Sequence, residues 1–241
     1  MSLKDQRIVV VGGSSGIGLE TTRILANQGA QLIITGRNQE RLEAAEKSIP
    51  NVIRTACLDF TDGVAMKGFF NTTGEIDHLV LVAGGVPLTG AFLHTDVSRM
   101  EDYFTQKFWG VVRTAHAGIP VVKPKGSITF FIGRAGRSAL SGWAGVSAVN
   151  MAIIGIAKTI ALEVAPKRVN VIAPALIDTP VYDYMSEEER RSYYAEAASK
   201  VPVGRIGTSE DVAQCVLFLL ACEFVNGVVL DVNGGGTITN M

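Results

Sequence analysis

Short runs of apolar, often β-branched residues alternate with longer segments of helical periodicity along the whole chain of 241 residues. The apolar runs cover residues 7–11, 31–35, 52–57, 78–82, 127–132, 168–173 and 228–230. The helical segments cover residues 17–28, 39–48, 62–71, 96–119, 142–164 and 209–221. Strands that are apolar on both faces belong in a parallel sheet with helices on each side. The alternation therefore predicts an α/β fold, a doubly wound parallel sheet in three α/β/α layers.

Composition favours one soluble domain over residues 1–241. Hydrophobic residues make up 47% of the chain and charged residues 19%, and no repeat or linker divides it. A net charge of −1 gives no basic surface for nucleic acid. The longest apolar run, residues 216–222, is far shorter than the ~20 residues of a membrane span, so we expect a cytoplasmic protein with no membrane segment. We expect no metal site, and small buried thiols at Cys57, Cys215 and Cys222.

A glycine-rich turn joins the first predicted strand to the first predicted helix. Its key residues are Gly12, Gly16 and Gly18. Residues without a Cβ let the chain turn tightly, let backbone N–H groups approach a diphosphate, and let the helix pack close to the strand. The positive end of the helix then faces the phosphates. The segment predicts a nucleotide site, although a plain tight connection between strand and helix would use the same glycines.

The end of the second predicted strand bears on which nucleotide binds. A carboxylate there would bind the ribose 2′-hydroxyl of NAD(H) and repel a 2′-phosphate. The chain has Gly36 at that position, followed by Arg37. A guanidinium pairs well with phosphate, so we predict NADP(H) as the cofactor. The alternative interpretation is a solvated arginine at the start of a helix.

These motifs resemble those of the short-chain dehydrogenase/reductase family over nearly the whole chain. VGGSSGIG at residues 11–18 resembles the family's T-G-x-x-x-G-x-G turn, with valine in place of threonine. LDF at 58–60 resembles its adenine-side segment, and LVAG at 81–84 its N-N-A-G segment without both asparagines. VNVIAPALIDTP at 169–180 resembles the nicotinamide-side segment, and VPVGRIG at 201–207 the carboxyl-terminal pattern. The resemblance implies a Rossmann-type fold, oxidoreductase activity and a small-molecule substrate.

The resemblance also implies which residues contact the cofactor. The Ile177 backbone and the Thr179 hydroxyl would hold the nicotinamide carboxamide. The implied set is Gly12, Ser14, Ser15, Gly16, Ile17, Gly18, Arg37, Asn38, Asp59, Phe60, Ala83, Gly84, Gly85, Asn150, Pro174, Ile177 and Thr179.

The same resemblance implies that the catalytic residues of the family are replaced. Flanking motifs align the family's serine with Gly133, its tyrosine with Val146, its lysine with Asn150 and its asparagine with Lys107. Valine has no proton to give, and glycine has no side-chain donor. Losing a general acid costs ~10²–10⁴-fold in rate, and losing an oxyanion donor about 10²–10³-fold. Ordinary ketone reduction by the family's route is therefore not expected.

Lys107, Asn150 and Arg134 are the candidates for a changed active site. Lys107 and Asn150 suggest an exchange, in which the Lys107 ammonium replaces the missing positive charge and Asn150 binds a ribose hydroxyl. The alternative is that Lys107 extends along its helix to solvent. Arg134 and Arg137 follow the fifth predicted strand, where ligands of such sheets bind. Lys107 and Arg134 suggest an anionic substrate or a charged group that assists transfer, whereas the simpler interpretation of the arginines is exposed loop residues.

A segment at about residues 180–200 resembles the family's substrate-covering lid. One of its tyrosines could donate a proton from outside the usual position; they are Tyr182, Tyr184, Tyr193 and Tyr194. Asp178 is either an acid/base group or a helix cap before Pro180. Among the histidines, His94 is the one to test.

The long predicted helices 96–119 and 142–164 carry extra apolar residues, including Trp109, Ile153 and Ile154. In the family this region commonly forms a dimer face, so a homodimer or homotetramer is expected.

Three functions remain open at this point. The first is an NADP(H)-dependent oxidoreductase with a non-standard site, transferring hydride to an imine, an activated C=C bond or a carbonyl. The second is a cofactor-scaffolded isomerase or cyclase, and the third is a catalytically silent NADP(H)-binding scaffold or regulatory protein. Arg37 favours the first two, because a scaffold has less need of a 2′-phosphate contact. Likeness of fold alone does not decide among them.

Overall fold

The computed structural model describes residues 2–84 and 87–238 and confirms the doubly wound parallel sheet. The strands are β1 (Arg7–Val11), β2 (Gln31–Gly36), β3 (Val52–Cys57), β4 (Ile76–Leu81), β5 (Val122–Phe131), β6 (Arg168–Pro174), β7 (Ile177–Asp178), β8 (Gly207–Thr208) and β9 (Val229–Val232). Seven of them form one sheet in the order β3-β2-β1-β4-β5-β6-β9. The short strands β7 and β8, which the sequence patterns did not predict, pair with each other.

Helices cover both faces of this sheet. They are α1 (Gly16–Asn27), α2 (Gln39–Ser48), α3 (Gly63–Asn71), α4 (Val97–Phe104), α5 (Gly110–Gly118), α6 (Ala144–Glu163), α7 (Glu187–Ser199) and α8 (Ser209–Ala221). The two-residue repeat of β1 divides its side chains between two separate cores. Val9 and Val11 pack in one core, and Ile8 and Val10 pack in the other. The apolar runs therefore form strands because each face of the sheet is covered.

The predicted helix 96–119 is divided by a π-helical turn at Thr105–Trp109, between α4 and α5. Such a turn accommodates extra residues within a helix, and it is frequent at functional sites. Gly110, which follows it, packs under an aromatic ring, since a Cβ there would lie 2.7 Å from Phe60 Cε2. The turn contains Lys107, whose side chain is buried.

Several predictions about surface and burial were wrong. Ile153 and Ile154 belong to the core, with exposed fractions of 0% and 5%, because α6 turns that face toward the sheet. Cys57 is exposed at the end of β3, and Cys215 and Cys222 are only half-buried. Strand bounds also differ, since β5 begins at Val122 rather than at residue 127.

Helix α6 is long and apolar enough to span a membrane by length and composition, with a mean hydropathy of 1.6 over its most apolar window. Its residues Val149, Ile153 and Ala157 are buried in the core beside the sheet. Core helices of soluble proteins pass the same test, so this is weak evidence for a membrane span.

Candidate functional site

Two cavities open at the carboxyl ends of the strands, beside the reversal of strand order between β1 and β4. The smaller cleft, of about 370 Å³, is lined by the glycine-rich turn and by the ends of β2 and β4. The larger cavity, of about 810 Å³, is lined by the ends of β5 and β6, the start of α6, the π-helical turn and α7. Residues predicted to contact the cofactor line both cavities, since Asn150, Pro174 and Ile177 belong to the larger one.

Glycines let the backbone line the smaller cleft. Gly12 has a φ of +89°, and a Cβ on it would lie 2.9 Å from the Ala83 backbone nitrogen. A Cβ on Gly18 would collide with the Gly12 carbonyl oxygen. The Thr22 hydroxyl donates to the carbonyl oxygens of Gly13 and Gly18, at 3.1 and 2.8 Å, and so fixes the turn. No larger residue fits at positions 12 and 18 without moving the backbone.

The start of α1 presents free backbone donors to this cleft. Ser15 is the N-cap of α1, yet its side chain makes no capping bond to the helix. The first turn of α1 also lacks acidic residues. Unsatisfied N–H groups and the helix dipole therefore favour an anion at this point. Ser14, Ser15, Gly16 and Ile17 all line the cleft, as predicted.

Two arginines close the far end of the smaller cleft. Arg37 and Arg41 both line it, at the start of α2. The sequence prediction missed Arg41, which lies in the first turn of α2, whereas Arg37 precedes the N-cap residue Asn38. Asn38 does not line the cleft, because its Oδ1 accepts a hydrogen bond from the Arg41 backbone nitrogen at 2.8 Å and caps α2. Gly36 leaves room for Ser14, whose Oγ would lie 2.5 Å from a Cβ at position 36.

Asp59 and Phe60 follow β3 at the side of the smaller cleft. Phe60 lines the cleft, whereas Asp59 does not. Asp59 Oδ1 accepts hydrogen bonds from the backbone nitrogen and the hydroxyl of Thr61, at 2.9 and 2.8 Å. Asp59 therefore holds the turn that presents Phe60.

The Lys107 ammonium points into the fold, which contradicts the alternative of extension to solvent. Its Nζ donates to the Ala83 carbonyl oxygen at 3.2 Å, and its side chain fills space left by Gly84, where a Cβ would lie 2.8 Å from Nζ. Only 8% of the residue is exposed. Within residues 2–84 and 87–238, no carboxylate forms a salt bridge with it. Burial lowers the pKa of Lys107 from 10.5 to about 8.

Asn150 faces the larger cavity from α6 and braces the loop after β5. Its Nδ2 donates to the carbonyl oxygens of Ala135, at 2.9 Å, and Gly133, at 3.3 Å. Its amide hydrogens are thus directed at the loop, and only its oxygen is left for a ribose hydroxyl. Gly133 and Val146 also line the cavity, and neither offers a side-chain hydrogen-bond donor.

The arginines after β5 have different surroundings. Arg137 makes two hydrogen bonds to the carboxylate of Asp231, one of them from Nε at 3.0 Å. Arg134 lines the larger cavity, and its one hydrogen bond to the described residues is a long one, 3.4 Å from Nη1 to the Gly236 carbonyl oxygen. Of the two, Arg134 has the guanidinium that can reach a ligand.

Helix α7 covers one side of the larger cavity, at the position predicted for the lid. Tyr182 and Tyr193 line the cavity, with ring centroids 6.1 Å apart. The Tyr194 hydroxyl donates to Asp178 Oδ1 at 3.0 Å. Asp178 is not a helix cap, because Thr179 occupies the cap position before Pro180. Asp178 also lines neither of the two cavities.

The remaining predicted residues divide between the two cavities. Ala83, Gly84 and Thr179 line the smaller cleft, and Pro174 and Ile177 line the larger cavity. Gly85 lies outside the described residues. His94 is exposed and lines neither of the two cavities. In the part of the chain that the structure describes, no three His, Cys, Asp or Glu side chains form a metal-binding group.

Tyr103 also lines the larger cavity, and sequence reasoning missed it. It is four residues before Lys107, a helical spacing that would place both side chains on one face and could have identified it. Burial raises the pKa of Tyr103 to about 12.

Comparisons with known proteins agree with this geometry. The family model described as enoyl-(acyl carrier protein) reductase matches residues 11–237. A 3-oxoacyl-(acyl-carrier-protein) reductase from Rattus norvegicus is 30% identical over 98% of this chain and 99% of its own length. The 3-oxoacyl-(acyl-carrier-protein) reductase FabG of Thermotoga maritima is 29% identical over the same shares. A small-chain dehydrogenase solved with NADPH superimposes with a TM-score of 0.86 at 31% identity, covering 98% of this chain and 100% of its own.

Similarity that extends over almost the whole chain shows the family as well as the fold. The glycine-rich turn, the cleft at the strand-order reversal and the cavity under α7 are the features that this similarity spans. The chain belongs to the short-chain dehydrogenase/reductase family.

Proposed function

We propose that this oxidoreductase uses NADP(H) to transfer hydride to a small-molecule imine, activated C=C bond or carbonyl, with Lys107 in place of the usual acid machinery. The observation that carries the proposal is the buried Lys107 ammonium, which reaches the Ala83 carbonyl oxygen at 3.2 Å on the wall of the larger cavity. No salt bridge neutralises it within the described residues.

The smaller cleft supports NADP(H) as the cofactor. Positions 12 and 18 admit only glycine, and the start of α1 offers free N–H groups to a diphosphate. Arg37 and Arg41 would pair with a 2′-phosphate, and a structural relative was solved with NADPH. When bound, the cofactor supplies a hydride to an acceptor carbon.

Lys107 would stabilise the negative charge that develops on the acceptor. A charge that is largely withdrawn from solvent, as Lys107 is with 8% of the residue exposed, interacts more strongly with a developing anion than a charge in bulk water does. Gly133 and Val146 supply no side-chain donor, so this ammonium replaces part of what their positions provide in the family.

Charge in the larger cavity favours a substrate with an anionic group. The three lining carboxylates Glu196, Asp211 and Asp231 are paired with Lys200, Arg205 and Arg137 respectively. Lys107 and Arg134, in contrast, form no salt bridge with any described carboxylate. A carboxylate or phosphate on the substrate would therefore meet uncompensated positive charge at Arg134.

The test is NADPH oxidation by purified protein with matched ketones, imines and enones, each offered as a carboxylic acid and as its methyl ester. We expect turnover, preferring the acids, and a fall of about 10²-fold or more in kcat for Lys107→Met. Lys67→Met is the matched control, since Lys67 is exposed on α3. Tight NADPH binding without turnover of any substrate would overturn the proposal and favour a silent binding protein.

We also propose a homodimer or homotetramer that uses the outer face of α5 and α6. Trp109, Met151 and Leu162 expose 45%, 47% and 81% of their surfaces there. Leu162→Glu is expected to lower the molar mass in solution, measured by light scattering, if this face is the contact.

A further inference from the structure

We propose that Tyr103 of α4 donates the proton that completes hydride transfer, in place of the family's tyrosine, whose position Val146 occupies. The inference rests on the proposed hydride-transfer function. Tyr103, Lys107, Val146 and Asn150 all line the larger cavity, so the phenol belongs to the same cavity wall as the positions aligned with the family's catalytic residues. A phenol on α4 would thus restore the acid that Val146 cannot supply.

Contacts between α4 and α6 place Tyr103 near the start of α6. A Cβ on Gly145 would lie 3.5 Å from Met100 Cγ, so the two helices touch there. Tyr103 is three residues after Met100 on the same helical face, and Val146 follows Gly145 directly. The two side chains therefore meet the cavity from neighbouring positions on different helices.

Tyr103 and Lys107 lie on one face of their helical segment whichever geometry joins them. Four residues rotate by about 400° in an α-helix and by roughly 330° in a π-helix, which is within about 40° of a full turn in both cases. The π-helical turn contains Lys107 and begins two residues after Tyr103. Both side chains consequently point to the larger cavity, as its lining shows.

The surroundings of Tyr103 suit a buried acid that is held in its neutral form. Its ring packs at the edge of the core that contains Val149 and Phe108. Burial is the cause of its raised pKa. A neutral phenol keeps its proton until a stronger base forms beside it, which is the state that hydride delivery creates on the acceptor.

The step balances without a further reagent. Hydride adds to the acceptor carbon, the C=X π bond breaks, and its electron pair moves to X. X is the O or N of a carbonyl or imine, or the α-carbon of an enone whose β-carbon accepts the hydride. The Tyr103 O–H bond breaks and its proton goes to X. The resulting phenolate regains a proton from water in the open cavity. The substrate is reduced, and the cofactor is oxidised by the same two electrons.

Tyr184, one of the lid tyrosines expected as a possible proton donor, is 76% exposed and lines neither described cavity, so the structure removes it from that role. The test therefore compares Tyr103→Phe with Tyr184→Phe as the matched control. Steady-state NADPH oxidation would be measured with the best acceptor of the substrate panel, and NADPH affinity by fluorescence. Tyr103→Phe is expected to lower kcat by about 10²-fold or more, with the NADPH Kd within about twofold of wild type. Tyr184→Phe should behave as wild type.

The solvent isotope effect on kcat is a second measurement, and its size would not change if Tyr103 served only in packing. The wild-type effect should change in Tyr103→Phe, because the proton then comes from another donor. Wild-type turnover together with an unaltered kcat and isotope effect in Tyr103→Phe would overturn this inference alone. Absence of turnover by the wild type would instead overturn the proposed function, and this inference with it.

Discussion

Lys107 is an ionisable side chain that the fold buries at the wall of the larger cavity. A lysine costs free energy to bury, and within the described residues Lys107 donates one hydrogen bond, to the Ala83 carbonyl oxygen. Desolvation without a compensating carboxylate lowers its pKa from 10.5 to about 8. The ammonium is therefore a titrating group in the physiological range.

This shift predicts how activity depends on pH. Lys107 is charged below about pH 8 and neutral above it, so kcat for reduction should fall as pH rises through that value. Lys107→Arg keeps a charge at every accessible pH, so its profile should lack this decline even if its kcat is lower. The measurement is kcat from pH 6 to pH 10 in both proteins. A decline that persists at the same pH in the arginine variant would assign it to another group.

Two further residues, Arg37 and Arg41, predict a preference for NADPH over NADH. Removing one charged hydrogen bond to phosphate costs about 1.5–3 kcal/mol, so Arg37→Ala should weaken NADPH binding by roughly 10- to 100-fold. NADH, which lacks the 2′-phosphate, should bind the variant about as well as it binds wild type. Fluorescence titration with both nucleotides measures the difference. Equal losses for the two nucleotides would show that Arg37 does not contact the phosphate.

At the scale of elements, replacing glycine by alanine is expected to have opposite effects on stability in a turn and in a helix. Gly12 has a φ of +89° and a Cβ there would be 2.9 Å from the Ala83 nitrogen, whereas a Cβ on Gly68 in α3 has no atom within 4 Å. Gly12→Ala should therefore destabilise the turn and abolish NADPH binding. Gly68→Ala should raise the free energy of unfolding by about 0.5–1 kcal/mol, measured by urea denaturation. A destabilised Gly68→Ala would mean that α3 is not helical there.

The helix from Val97 to Gly118 shows which part of an element its sequence predicts. Apolar periodicity indicated a helix over residues 96–119, and most of that range is helical. The π-helical turn at Thr105–Trp109 was not predicted, because a pattern of period 3.6 does not reveal a local change of hydrogen-bond partner. Contact between Gly110 and the Phe60 ring belongs to the packed fold, and sequence periodicity carries no signal for it.

At the scale of the whole molecule, the buried ring of His78 makes the stability of the fold depend on pH. It lies on β4, bridging the Ser127 hydroxyl and Gln6 Oε1, each at 2.8 Å. Burial, and then the charge of Arg168, lowers its pKa from 6.5 to about 4. The folded state thus keeps the ring neutral at pH values where the unfolded chain takes up a proton.

The stability contributed by neutral His78 is present above pH 6.5 and is lost as pH falls toward 4. Between pH 7 and pH 5 this group should account for a loss of about 2 kcal/mol in the free energy of unfolding. His78→Gln retains a polar side chain but has no ring that takes up a proton. Between pH 7 and pH 5, the free energy of unfolding of this variant should therefore fall by about 2 kcal/mol less than that of the wild type. Urea denaturation at both pH values measures it, and equal losses would contradict the assignment.

The alternation of the main strands and helices, the glycine-rich turn and the place of Arg37 after β2 were predicted from the sequence alone, and the resemblance to the family implied the places of Lys107 and Asn150. Hydrophobic periodicity and glycine placement are local properties, and they carry that information directly. Only the tertiary structure decided that Lys107 is buried and that Tyr103 and Arg41 line the two cavities. The burial of a side chain, and which side chains meet at a cavity, depend on contacts between residues far apart in the chain. These contacts set the pKa of Lys107 and decide which residues surround Tyr103.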